Sequence, residues 1–251
     1  MYFSWNEQTL EWILAASAVT GFHRQLAARL RPWLTPGGTL ADLGCGAGLI
    51  DLELAGHAGQ ITCIDRTQAP LDFLLEQAAH RGVSNVDTLC ADAREVEGLW
   101  DDVLMCFYGS GDALVDTFLP HCRSHLVAVI RSGEESALGP PDWREHHQDL
   151  LGLTISSLNA RGVRYHLELG TLEYGQPLKS RADGMCFVRS GCRPEVPDAV
   201  MEAFLERALQ QRTHSQWPYY LPNQKHFGIF VIPRRENEHL LCAQRSLVYG
   251  S

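Results

Sequence analysis

Three glycines at alternating positions, Gly44, Gly46 and Gly48, follow the apolar run Thr39-Leu40-Ala41-Asp42-Leu43 and precede a helix-like run from Leu49. A strand, a glycine-rich turn and a helix in that order bring backbone close to a ligand. The flanking residues narrow the choice of ligand. A phosphate loop of the Walker type needs Lys and then Ser or Thr after its last glycine, and here Leu49-Ile50 follow Gly48. A dinucleotide fingerprint needs its third glycine at position 49, which is leucine. Asp42, inside the strand, would repel a pyrophosphate and favour a ligand that carries an ammonium group. Two more aspartates fall at strand ends: Asp65 closes QITCID, and Asp92 sits just past NVDTLC. A carboxylate presents paired acceptors that suit two neighbouring hydroxyls. Asp65 lies 17 residues beyond Gly48, about the distance that one intervening helix requires.

Helices and strands must alternate to put these residues together. Apolar spacing over Glu7 to Leu34 predicts two helices, broken at Thr20-Gly21 and ended by Pro36-Gly37-Gly38. After the glycine turn and its helix come the strand QITCID, a helix from about Ala69 to Arg81 closed by Gly82, and the strand NVDTLCAD. DDVLMCFYG is nearly all apolar after its two aspartates, as a strand buried on both faces should be. A helix over Asp112 to Cys122, the strand HLVAVIR and a long helix from Pro141 to Ala160 follow. VRYHLELGTLEYG and HFGIFVIPR read as the last two strands. This order predicts an α/β fold with a doubly wound, mostly parallel sheet of seven strands, which binds ligands beyond the carboxyl ends of its strands. All three aspartates lie at that edge.

We read residues 1–251 as a single domain. It divides into an N-terminal helical cap (1–36), a ligand-binding core (37–175), a helical insertion or lid (176–225) and the last strand with its tail (226–251). The insertion separates the last two strands by about 50 residues, which include two helices, Ser180 to Ser190 and Pro197 to Gln211, and the aromatic stretch THSQWPYYLPNQKH. Segments of that length inside a compact domain are usually functional. We expect it to lie over the carboxyl edge and shape an acceptor pocket, with Trp217, Tyr219, Tyr220 and His226 as candidates. Core packing explains those aromatics equally well. Tyr2, Phe3 and Trp5 could likewise cap the cleft or simply anchor the first helix.

The net charge of −9 and pI near 5.6 disfavour general nucleic-acid binding. No apolar run is long enough to span a bilayer, and MYFSWNEQTLEW has no signal-peptide core, so a cytoplasmic location without membrane association is expected. The eight cysteines contain no CxxC pair and read as free thiols. His146 and His147 are adjacent on a predicted helix and point apart, so no metal site is expected. The sequence sets no oligomeric state.

LADLGCGAG resembles the first motif of the class I S-adenosylmethionine-dependent methyltransferases, and the resemblance runs from about residue 22 to 132 through Asp65, Asp92 and the apolar fourth strand. It implies S-adenosylmethionine as cofactor and S-adenosylhomocysteine as product. It also implies roles in cofactor binding. Gly44, Cys45, Gly46 and Gly48 would form the loop against the methionine part, and Asp42 would hold its ammonium. Asp65 would accept from the ribose hydroxyls. Arg66, Asp92 and Ala93 would meet the adenine, and Phe107 would border the cofactor. CFYGSGD, which faces the transferred methyl in this family, lacks the N/D-P-P-Y/F pattern of enzymes that methylate exocyclic or amide nitrogens. Tyr108 and His226 are the candidate catalytic side chains, although methyl transfer does not require a dedicated base. The expected acceptor is a small molecule, its accepting atom open. Three other readings stand beside this one: a non-catalytic relative that binds the cofactor, an NAD-linked oxidoreductase, and a tRNA or ribosomal RNA methyltransferase. The acidic balance and the lack of an appended basic domain weigh against the last.

Overall fold

The computed structural model describes residues 5–132, 138–140, 148–213 and 216–240. Five parallel strands form its centre: β1 (Thr39–Leu43), β2 (Gln60–Asp65), β3 (Val86–Cys90), β4 (Trp100–Cys106) and β5 (Cys122–Arg131). β6 (His166–Glu173) and β10 (Gln224–Pro233) complete a seven-stranded sheet in the order β3-β2-β1-β4-β5-β10-β6, with β10 antiparallel to both neighbours. The strand order reverses between β1 and β4, so the crevice at that reversal opens beside the glycine turn.

Helices α1 (Glu7–Thr20), α2 (Phe22–Leu30), α3 (Leu49–Leu54) and α4 (Gln68–Arg81) come from the first third of the chain. α1 starts with a reciprocal cap between Asn6 and Thr9 and stops at the left-handed Gly21. Phe22, Leu26 and Leu30 of α2 and Leu74 of α4 pack on Leu104, Val127, Val129 and Phe227, which covers one face of the sheet. Leu114, Val115, Phe118 and Leu158 cover the other face against Val103, Met105, Leu126 and Phe230. At the amino edge, Asp101 accepts from the Thr39 N–H at 2.8 Å and Asp102 accepts from the His125 N–H at 3.1 Å, so the two aspartates that open β4 brace its neighbours.

The helix expected over Asp112 to Cys122 is replaced by a wide π-type turn, Leu114–Phe118, and a 3-10 turn, Leu119–His121. Pro120 has no N–H to give an α-helix, and Cys122 already belongs to β5. α5 spans Leu150–Ala160, capped by Asp149. Residues 141–147 of the expected longer helix, which include His146 and His147, lie outside the described residues, as do Tyr2 and Phe3.

β6 ends and β10 begins at the carboxyl edge. Between them lie β7 (Gln176–Leu178), α6 (Arg181–Gly191), α7 (Asp198–Ala208), β8 (Gln210–Gln211) and β9 (Tyr219–Leu221). The three short strands form a second sheet, β7-β9-β8, which the sequence pattern does not announce. Leu178, Val188, Met201, Leu205 and Leu221 give this excursion a small core of its own. α1 ties it down: the Trp12 indole donates to Asp183 at 2.9 Å, Gln176 donates to the Trp12 carbonyl at 3.2 Å, and Lys179 pairs with Glu11. Among the described residues, no helix is long and apolar enough to cross a membrane.

Candidate functional site

The turn between β1 and α3 takes its shape from glycine. Gly44, Gly46 and Gly48 all have positive φ, 77°, 55° and 60°, a region that L side chains rarely adopt. Space is equally restricted. A Cβ at Gly44 would fall 2.4 Å from Tyr108, one at Gly46 would meet the Trp5 indole at 2.9 Å, and one at Gly48 would meet Leu74 at 2.4 Å. The Gly44 and Cys45 N–H groups both donate to the Ile64 carbonyl, at 2.8 and 3.0 Å, which pins the turn to the end of β2. Asp65 completes the anchor: its carboxylate accepts from the Gly46 N–H at 3.0 Å and the Thr67 N–H at 2.9 Å. The expected ribose acceptor therefore lies directly against the glycine turn.

Beneath the turn, Asp42 and Asp51 are fully buried, and neither carboxylate has a hydrogen-bond donor. Desolvation raises both, Asp42 well above the usual carboxylate range and Asp51 to about 7, and each acid also acts on the other. Two buried acceptors without donors are the arrangement that an incoming ammonium group would complete. Asp51 was not anticipated; its signal is a single acid inside the apolar helix start Leu49-Ile50-Asp51-Leu52.

On the other side of the crevice, Asp92 is gripped by Arg94 at 2.7 Å, which holds its carboxyl well below the ordinary range. Arg66 is exposed and Ala93 buried. Tyr108, raised by burial, packs over Gly44 and near Phe118. Phe107, just past β4, holds a left-handed conformation at φ 59°, an uncommon strain for an aromatic residue. It lies 6.1 Å from the Phe22 ring and 6.3 Å from Phe227. Over its face, at 3.6 Å, stands the ammonium of Lys225, a residue that sequence reasoning passed over. One signal was present: Lys179 and Lys225 are the two lysines among 21 basic residues.

The remaining candidates sit elsewhere. His226 follows Lys225 on β10, so it projects to the opposite face of the sheet, with Nδ1 2.8 Å from the Thr171 hydroxyl. Tyr220 is buried, donates to Glu173 and lies under the Arg212 guanidinium at 3.3 Å. Tyr219 packs against the core of the excursion, and Trp217 receives the Lys179 ammonium at 5.6 Å. The structure thus groups Asp42, the glycine turn, Asp65, Phe107 and Tyr108, and it sets the excursion's aromatics among their own packing partners.

Residues 40–129 match the family model described as "Methyltransferase domain". That stretch of the chain is therefore similar to a methyltransferase domain. The chain is also 33% identical over 113 residues to a protein of Thermosynechococcus vestitus named an uncharacterised RNA methyltransferase; the match takes in 42% of this chain and 25% of that one. The chain thus spans about a quarter of that relative's length. Among solved structures it resembles the YcgJ protein of Bacillus subtilis, at 12% identity and a TM-score of 0.52, covering 84% of this chain and 98% of that one. A candidate methyltransferase of Bacillus halodurans matches similarly, at 11% identity and a TM-score of 0.51, covering 85% and 97%. At such identities the likeness is one of fold. The matched stretch holds the glycine turn, Asp42, Asp51, Asp65, Asp92 and Phe107, whereas Lys225 and the excursion lie outside it. The cradle fits the cofactor that such a domain implies, because the glycines leave room no side chain could share and the two buried acids could accept from an ammonium group.

Proposed function

We propose that the protein transfers a methyl group from S-adenosylmethionine to a small-molecule acceptor. The observation that carries this reading is the glycine turn set over two buried carboxylates without donors, with Asp65 bonded to the turn itself. Asp42 and Asp51 would take the methionine ammonium, Asp65 would hold the ribose, and Arg66, Asp92 and Ala93 would meet the adenine. Cys45 contributes backbone within the turn. When bound, S-adenosylmethionine would supply an activated methyl group whose transfer depends on alignment and dryness more than on covalent help. Phe107 and Tyr108 would exclude water and set the acceptor's approach. A reducing, cytoplasmic setting suits seven described cysteines that are all free.

Calorimetry tests the cofactor. We expect one-to-one binding of S-adenosylhomocysteine and no response to NADH, and the reverse would move the chain to the oxidoreductases. Asp65→Ala should weaken S-adenosylhomocysteine by about 1–3 kcal/mol, the cost of stranding buried hydroxyls; unaltered affinity would remove the ribose role. Incubation with methyl-labelled cofactor, host metabolites and host RNA should leave label in the metabolites. The RNA reading rests on the name of the cyanobacterial relative, and label in tRNA or ribosomal RNA would establish it against the net charge of −9. Cofactor binding without any labelled product would mark a non-catalytic relative.

A further inference from the structure

Lys225 sits where a cation should not rest unaccompanied. It is the second residue of β10, beside the carboxyl edge and half-buried. Its ammonium stands 3.6 Å from the centre of the Phe107 ring, 5.1 Å from Tyr174 and 5.5 Å from Phe22. Among the described residues, the titratable groups facing it are His23 of α2, Cys106 of β4, Tyr174 after β6 and Arg131 of β5. None of them is a carboxylate. Burial and Lys225 itself lower His23 to about 3, so it stays neutral. Burial raises the Cys106 thiol and the Tyr174 phenol, so both keep their protons.

Arg131 repeats the pattern. It pairs in register with Phe227, two residues beyond Lys225 on the same strand, so both cations project from the same face of the sheet. Burial lowers Arg131 as well, and among the described residues neither cation has an ion pair or a side-chain hydrogen bond. Arg29, farther along this face over the Phe227 ring, differs: Glu168 accompanies it at 3.6 Å. In a chain with 30 acidic residues and 21 basic ones, two adjacent cations without an acidic partner among the described residues are a costly exception at the mouth of the sheet. Aromatic faces compensate Lys225 in part, and an anion would compensate both.

Resting on the methyl-transfer reading above, we infer that Lys225 and Arg131 form an anion subsite that holds a carboxylate or phosphate of the methyl acceptor. Phe107 links the two sites, with the Lys225 ammonium over its ring and its neighbour Tyr108 over Gly44. The acceptor would therefore be a small organic acid or phosphate ester, anchored by its charge with its nucleophile turned toward the glycine turn.

Because the chain has two lysines, full-length protein made with ε-13C-lysine yields two side-chain signals, and Lys225→Met identifies which is which. In the free protein Lys225 should titrate near 8, lowered chiefly by desolvation. At constant ionic strength, succinate or inorganic phosphate should raise that midpoint by about one pH unit and leave Lys179 unmoved. Arg131→Met should weaken the response to either anion severalfold. A Lys225 midpoint indifferent to both anions overturns the subsite. If saturating S-adenosylhomocysteine raises the midpoint by itself and abolishes the succinate and phosphate responses, the anion is the cofactor's own carboxylate, and the acceptor assignment falls. Calorimetry on the same samples keeps the two readings apart: an anion response in a protein that binds no S-adenosylhomocysteine upholds the subsite and refutes the cofactor.

Discussion

The buried pair Asp42 and Asp51 shows how individual side chains can be kept at a cost to the stability of the fold. Both carboxyls bind a proton more tightly folded than unfolded, where aspartate titrates near 3.9. The folded state therefore carries more protons between about pH 4 and pH 7, and its stability falls as pH rises through that window. Asp51→Asn removes one of the two titrating carboxyls. We expect the variant to match the wild type near pH 4 and to exceed it by about 1–3 kcal/mol at pH 8, measured by urea unfolding. A pH-independent difference would mean that the pair is not desolvated as described. Asp42 was legible from its place before the glycines. Asp51 and Lys225 were not, because their meaning depends on what surrounds them, and a sequence does not show which face of a strand or helix closes over a charge.

At the scale of elements, β1 and β2 coincide with the runs read from sequence, since both are short, apolar and closed by a turn residue or an aspartate. The region after Gly111 is where periodicity misled: Leu114, Val115 and Phe118 have helical spacing, yet Pro120 and the early start of β5 leave room only for tight turns. The second sheet escaped for another reason. Its strands are two or three residues long, too short to alternate visibly. The glycine turn yields a paired prediction. Gly48 and Gly82 have similar φ values, 60° and 65°, but a Cβ at Gly48 meets Leu74 and one at Gly82 meets nothing within 4 Å. Gly82→Ala should cost about 1 kcal/mol of backbone strain alone. Gly48→Ala should cost about 1–3 kcal/mol more through overpacking. Equal losses in thermal unfolding would show that Leu74 yields freely.

Across the whole molecule, the first helix joins what the chain order keeps apart. Trp12 packs edge-on to Phe187 at 5.2 Å and donates to Asp183, while seven residues earlier Trp5 lies against Gly46. The helix and the residues just before it therefore run from the glycine turn to the excursion. Trp12→Ala should destabilise the protein by roughly 3–5 kcal/mol and speed proteolysis within residues 176–223. An unchanged melting temperature would show that the excursion stands on its own small core.

Glu173 and Gln224 are partners in the sheet, and the Tyr174 N–H reaches the Asn223 carbonyl at 2.9 Å. To the hydrogen-bond ladder, then, the polypeptide between them is a detour whose entrance and exit already touch. Replacing it with a tight hairpin would preserve the register of all seven strands. That makes the seven-stranded sheet a ready recipient for other loops grafted at the same doorway.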